Sequence, residues 1–254
     1  MASQIGLQLY TLRNFLKTPA DIAQTLSRVK KMGYDAVELA GLGPIEPAEL
    51  KKMLDGEGLV CCSGHVSTND VQNQLQKTID NYKLWGCAYV IIASFGPRDA
   101  TTQTWVDFAQ RCNEQAKSVS SAGMMLGYHN HSHEFVHYDG KPGLQILREH
   151  FSPQVIFELD LHWVARGGGD PAEWIEKMGS HATCLHMKDF SVLPDRTPQF
   201  AEVGEGNMNW PRILTAARQA GVKWYIVEQD ETYGKDAFAC VEKSLKNMKG
   251  MGLS

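Results

Sequence analysis

Tyr128-His129-Asn130-His131-Ser132-His133-Glu134-Phe135 places three imidazoles and one carboxylate within eight residues, directly after an apolar run. Imidazole nitrogens and carboxylate oxygens are both ligands for divalent metals and proton carriers, which makes the stretch a candidate active-site segment. The same residue types also populate ordinary solvated loops. The two readings separate only if other segments deliver similar groups to the same place.

Those segments follow from the rest of the chain. An amphipathic stretch, a glycine and a short β-branched or aromatic run recur around Gly33, Gly58, Gly86, Gly123 and Gly221. A helix often ends on a left-handed residue that glycine adopts cheaply, so each glycine marks a helix C-terminus leading into a strand. With Ile5 to Tyr10, Val155 to Asp160 and Thr183 to Lys188 added, eight strands are expected. Between them the apolar spacing is helical, as in Ile22, Leu26, Val29 and Met32 or Phe238, Val241, Leu245 and Met248. Asp170-Pro171 reads as an N-cap with a first-turn proline, and Pro211 opens a later helix. Strands alternating with helices and no linker predict a single (β/α)8 TIM barrel domain over residues 1–254. An open doubly wound sheet is the competing fold, but the first strand-to-helix turn carries no G-x-G-x-x-G.

In such a barrel the chemistry gathers at the C-terminal ends of the strands. Those ends read Gln8, Glu38, His65, Ser94, His129 with His131, Asp160, His186 with Lys188, and Glu228 with Asp230. Strands five to eight are neighbours in the ring and supply His129, Asp160, His186 and Glu228. That mixed nitrogen and oxygen set suits a divalent ion (Mn, Co, Mg or Zn) with positions open to a substrate's oxygens. Singly, a strand-end Asp can instead cap the next helix, and a lone His is commonly a satisfied core or surface residue.

Several of these segments together resemble the xylose isomerase-like barrels, the sugar phosphate isomerase/epimerase family. They are Ile5-Gly6-Leu7-Gln8-Leu9-Tyr10-Thr11, Gly33 to Leu39, Tyr128 to His131 with Glu134-Phe135, Leu159-Asp160 through Trp163, Asp170-Pro171, His186-Met187-Lys188-Asp189, Gly204-Glu205-Gly206 and Val227 to Asp230. The resemblance covers nearly the whole chain. It implies that Asp160, His186 and Glu228 hold a metal, and that Glu38 and His65 contact substrate, with Lys188 and Glu205 as further substrate-binding candidates. Family members usually offer a Glu at the end of strand five, often in Glu-Asn-His, where this chain has His129-Asn130-His131. The fourth ligand is His129 by direct match, with His131 or Glu134 as alternatives.

Bulk properties narrow the partners. The net charge is −4 with both signs scattered, so there is no basic stripe for nucleic acid. No apolar run reaches membrane-span length, and the start at Met1-Ala2-Ser3 shows no signal pattern unless processing removed one. Six cysteines without a C-x-x-C read as buried free thiols in a reducing cytoplasm. A homo-oligomer is compatible with all of this. The long connection from Phe190 to Trp210 is acidic and lacks phosphate-loop glycine spacing, which favours an unphosphorylated sugar or cyclitol.

The expected activity is a metal-dependent sugar isomerase or epimerase that abstracts the proton α to a carbonyl and passes through an ene-diolate. His131 or Glu228 serves as base, and Glu134 or Glu38 handles the returning proton. Loss of a β-hydroxyl from the same intermediate makes a keto-sugar or inosose dehydratase instead. A metal-dependent endonuclease and a non-catalytic sugar-binding module are the remaining alternatives; the first needs a cationic track, and the second needs no metal set.

Overall fold

The computed structural model describes residues 4–254, so the start at Met1-Ala2-Ser3 lies outside the described residues. Eight strands form the barrel: β1 (Ile5–Gln8), β2 (Ala36–Leu39), β3 (Val60–Val66), β4 (Tyr89–Ile92), β5 (Met125–His129), β6 (Val155–Asp160), β7 (Ala182–Met187) and β8 (Trp224–Val227). Each pairs in parallel with the next, and β8 closes on β1. The chain is therefore a (β/α)8 barrel, as the alternation of elements predicts.

The outer layer is helical: α1 (Pro19–Met32), α2 (Pro47–Glu57), α3 (Leu75–Trp85), α4 (Thr102–Ser121), α5 (Gly143–His150), α6 (Pro171–Met178), α7 (Trp210–Ala220) and α8 (Ala237–Gly250). Starts are written in the sequence. Thr18 and Asp21 exchange side-chain and backbone hydrogen bonds of 3.2 and 3.0 Å in a capping box before Pro19-led α1, and Asp170 caps Pro171-led α6. The end of α1 is Gly33 at φ 98°, a conformation that disfavours a side chain. No helix among the described residues is long and apolar enough to cross a membrane, and all six cysteines are buried and unpaired.

Two expectations about boundaries change. β1 stops at Gln8 rather than Tyr10, because the Gln8 side chain accepts the Tyr10 N–H at 3.2 Å and turns the chain into a 3-10 helix, Leu9–Phe15. The connection after β7 is not irregular throughout: Asp189–Val192 pairs antiparallel with Pro198–Ala201. A smaller ribbon pairs His137–Tyr138 with Lys141–Pro142.

Inside the barrel, side chains stack in rungs. Ala36, Cys62, Ile91, Ile156, Cys184 and Ile226 form one closed apolar cluster, with Gly6 and Gly127 filling it by having no side chain. A Cβ at Gly127 would lie 2.5 Å from Ile91 Cδ1, and one at Gly6 would lie 3.0 Å from Cys62 Sγ. Alternate residues of a strand face the same way, so the next inward positions come two residues later. Gln8, Glu38, His129, Glu158, His186 and Glu228 occupy them, all buried. On β3 the register shifts opposite Val37/Glu38, which explains how Cys62 and His65, three apart, both face inward. One further step up the strands come Asp160, Lys188 and Asp230.

Candidate metal centre and active site

The polar rung is one connected network. Gln8 Nε2 donates to Glu38 Oε2 at 2.7 Å, and the same oxygen lies 2.6 Å from His186 Nε2. His65 Nε2 lies 2.6 Å from Glu158 Oε2, which is also 3.1 Å from His186 Nε2. With its Nε2 proton directed at these carboxylates, His186 presents Nδ1 to the other side, 2.9 Å from Glu228 Oε2 and 3.7 Å from Asp160 Oδ2. The 2.9 Å pair is out of line for a hydrogen bond, and both atoms are buried without a hydrogen-bond partner. His129 repeats the pattern: Nδ1 faces the Ala93 carbonyl at 3.1 Å, which directs the Nε2 lone pair at Asp160 Oδ2, 3.4 Å away.

His129 Nε2 and His186 Nδ1 thus face two carboxylate oxygens, Asp160 Oδ2 and Glu228 Oε2, which also receive the Lys188 ammonium. His129, Asp160, His186 and Glu228 each offer an atom within 4.8 Å of the others. A second such group, His65, His129, Glu158 and His186, shares two of its members. Charge points the same way. Asp160, Glu228 and Asp230 surround one ammonium, Lys188, at 2.9, 2.6 and 3.1 Å, while Glu38 and Glu158 lie against the His65 and His186 rings. A single lysine does not neutralise these carboxylates in a low-dielectric interior. The residues fit a divalent ion.

Acidities report the same crowding. Burial and then repulsion from Glu158 push Glu38 up to about 7. Burial would also raise Asp160, but Lys188 and the imidazoles outweigh it and hold Asp160 well below the usual carboxylate range. Glu228 is lowered in the same way. His186 is raised against its own burial by Glu158, Glu228 and Glu38. Without a metal, a proton is the cation that relieves them. Burial lowers His129, which favours its neutral form.

Asp160 does two jobs with its two oxygens. Oδ1 accepts the Trp163 N–H at 2.8 Å and caps the short helix Leu161–Arg166, while Oδ2 faces the cluster. The capping and metal readings of this residue are compatible. Asn130 accepts the Asp160 N–H at 2.9 Å and clips the end of β5 to β6.

Above the cluster is a cavity of about 380 Å³ lined in part by His65, Ser94, His129, His131, Lys188, Glu228 and Asp230. His131 Nδ1 is buried and unpartnered, and burial pushes the ring down to about 3, so it stays neutral. Glu134 does not line the cavity. Its oxygens are engaged by the Tyr128 hydroxyl at 2.6 Å and the His131 N–H at 2.9 Å, so it shapes the loop that carries His131. Glu205 is not brought in either: it pairs with Lys243 at 2.8 Å and Asn247 at 2.9 Å on α8. The flanking glycines cradle the chain's own Asp189, whose Oδ2 accepts from Gly204 N, Gly206 N and Trp210 Nε1 at 3.0, 3.2 and 2.7 Å.

Glu158 is the residue the sequence reading passed over. Its signal was available: it stands two before Asp160 and two after Ile156 on a strand whose alternate residues face the barrel axis.

The closed eight-stranded barrel defines a (β/α)8 fold, and sequence comparison gives its family. The family model described as xylose isomerase-like TIM barrel matches residues 26–249, and the chain belongs to that family. It is 24% identical over 245 residues to rhizopine catabolism protein MocC of Rhizobium meliloti, covering 83% of this chain and 75% of the relative. It is 25% identical over 191 residues to an inosose dehydratase of Geobacillus kaustophilus, covering 65% of this chain and 61% of that one. A solved sugar phosphate isomerase/epimerase from Parabacteroides distasonis superposes with a TM-score of 0.83 at 26% identity, over 98% of this chain and 94% of the other.

Proposed function

We propose that the protein is a divalent-metal-dependent enzyme acting on a neutral hydroxy-carbonyl sugar or cyclitol, as an isomerase or epimerase. The observation that carries this reading is the convergence of His186 Nδ1, His129 Nε2, Asp160 Oδ2 and Glu228 Oε2, acceptors turned toward one another beneath the cavity. A divalent ion held there supplies Lewis acidity to the substrate's carbonyl and adjacent hydroxyl. The chain's own groups do the rest. Lys188, fixed by Asp160, Glu228 and Asp230, offers a positive donor to a developing oxyanion. His65 holds a substrate hydroxyl from the cavity wall, and Glu38 acts from behind by fixing the His186 ring. The proton α to the carbonyl passes to His131, whose Nδ1 is unpartnered, or to Glu228. Returning it to another carbon or face gives isomerisation or epimerisation.

Loss of a β-hydroxyl after the same abstraction gives a dehydratase, a second reading favoured by the similarity to an inosose dehydratase. Incubating neutral keto-sugars and inososes with protein in D2O tests both. Deuterium at the α-carbon of recovered sugar or of a stereoisomer supports the first, and an unsaturated ketone absorbing in the ultraviolet supports the second. Turnover with no label and no isotope effect from α-deuterated substrate overturns the shared step. In that assay Glu228→Gln and His131→Ala separate the two candidate bases once each variant is shown to keep its metal, the true one losing roughly 10²- to 10⁴-fold.

A further inference from the structure

A second cleft of about 420 Å³ lies beside the metal-facing cavity, and His65 lines both. Each is of the size expected of a small-ligand pocket, roughly 300–1,000 Å³. The wall of the second cleft includes Tyr82, a residue only 5% exposed, whose hydroxyl hydrogen-bonds to no protein group among the described residues. That oxygen is not sealed from the cleft's solvent, so a ligand's hydroxyl can take the place of water on it. Gly64 on β3 makes room for the Tyr82 ring end, since a Cβ there would stand 2.9 Å from the Tyr82 oxygen. One residue earlier on α3, Asn81 lines the same cleft, and its amide bonds no protein group among the described residues. Trp85, one helical turn on, gives its indole N–H to the Pro47 carbonyl at 3.0 Å, so only ring surface is left for a ligand. A hydroxyl donor/acceptor, an amide that can both donate and accept, and an aromatic surface are what a hydroxyl-rich ring requires. The lining carries one Asp and one Lys, Asp70 and Lys77, and so no net charge to draw an anionic group.

We propose that this cleft is a second sugar subsite, so that the substrate is a glycoside or oligosaccharide. Its reacting ring sits over the metal centre, and its attached ring passes His65 to lie against Asn81, Tyr82 and Trp85. The inference rests on the function proposed above, which sets the reacting ring in the neighbouring cavity.

Calorimetric titration of manganese-loaded protein tests it, with glucose, galactose, fructose and inositol set against cellobiose, maltose, lactose, sucrose and trehalose. At least one disaccharide is expected to bind tenfold or more tightly than either of its component sugars. Tyr82→Phe and Asn81→Ala should each reduce that advantage roughly three- to tenfold, with monosaccharide affinity and melting temperature unchanged. No disaccharide advantage, or an advantage that survives both substitutions, overturns the subsite. The two proposals fail separately. Deuterium exchange into single-ring ketones without any disaccharide preference removes the subsite and leaves the enzyme; a Tyr82-dependent disaccharide preference without exchange in any substrate keeps the subsite and removes the proposed chemistry.

Discussion

Two rungs of the same barrel, one step of the strand pleat apart, have opposite chemistry. The lower one is Gly6, Ala36, Cys62, Ile91, Gly127, Ile156, Cys184 and Ile226, small and branched side chains that fill the axis. The upper one, two residues further along the same strands, is Gln8, Glu38, His129, Glu158, His186 and Glu228. Burial is equally complete in both, so exposure does not distinguish them. What differs is what burial does: it stabilises the lower rung through apolar area removed from water, and it costs the upper rung the desolvation of several like charges. The lower rung therefore supports the fold, and the upper one holds ionisable groups at a cost in stability, the pattern expected of a functional site. Substitutions in the two rungs should move different observables.

The largest effect is expected at the top. Asp160→Ala or His186→Ala should remove bound metal and lower activity by about 10³-fold or more, the several kcal/mol that a metal's charge stabilisation supplies, with the barrel still folded and Asp160→Ala losing only the roughly 0.5–2 kcal/mol of its helix cap. Elemental analysis and thermal unfolding read the two quantities together. A variant that unfolds at much lower temperature while retaining full metal would merge the two rungs into one. One rung down, Ile156→Ala should do the reverse. Removing a fully packed side chain costs about 2–5 kcal/mol of stability, while metal content per folded chain stays at the wild-type level.

The rungs also show how much could be read from the residues alone. Glycine-ended helices and β-branched runs place all eight strands, because both signals are local: a left-handed C-cap and a pleated half-buried surface. The last inward residue of each strand is similarly visible, which is why His129, Asp160, His186 and Glu228 can be named together. Glu158 escapes that reading because it is not the last inward residue of its strand: β6 places two polar side chains on the inner face. Glu134 and Glu205 look functional by neighbourhood in sequence. Tyr128 and α8 claim them through contacts that spacing does not encode.

Glu158 sharpens the comparison from within the upper rung. It touches His65 and His186 rather than the face of the cluster occupied by Asp160 and Glu228, so its part is to fix ring orientation. Glu158→Gln should weaken metal binding about 10- to 100-fold and leave one ion per chain at saturation. Competition with a fluorescent chelator measures this. Stoichiometry falling from two to one would instead make Glu158 a ligand of a second ion.

The smallest effect is expected at Glu134, which belongs to neither rung although it lies in the histidine-rich segment that first suggests a site. Glu134→Gln keeps an oxygen for one of the two donors, Tyr128 and the His131 N–H, and removes only the ability to ionise. Burial holds this carboxyl above its usual range, so ionising it in the folded state costs stability as the pH climbs from the unfolded value, about 4.3, through the raised folded one. The amide removes that cost, and the variant should melt at the wild-type temperature or slightly higher at neutral pH, with a shallower decline across that window. Its activity should stay within about threefold of wild type, because the carboxylate is engaged in the loop and faces no substrate. A group that returned the abstracted proton would instead lose roughly 10²- to 10⁴-fold. A loss of that size, with metal content and melting temperature unchanged, would move Glu134 from the loop's framework into the reaction.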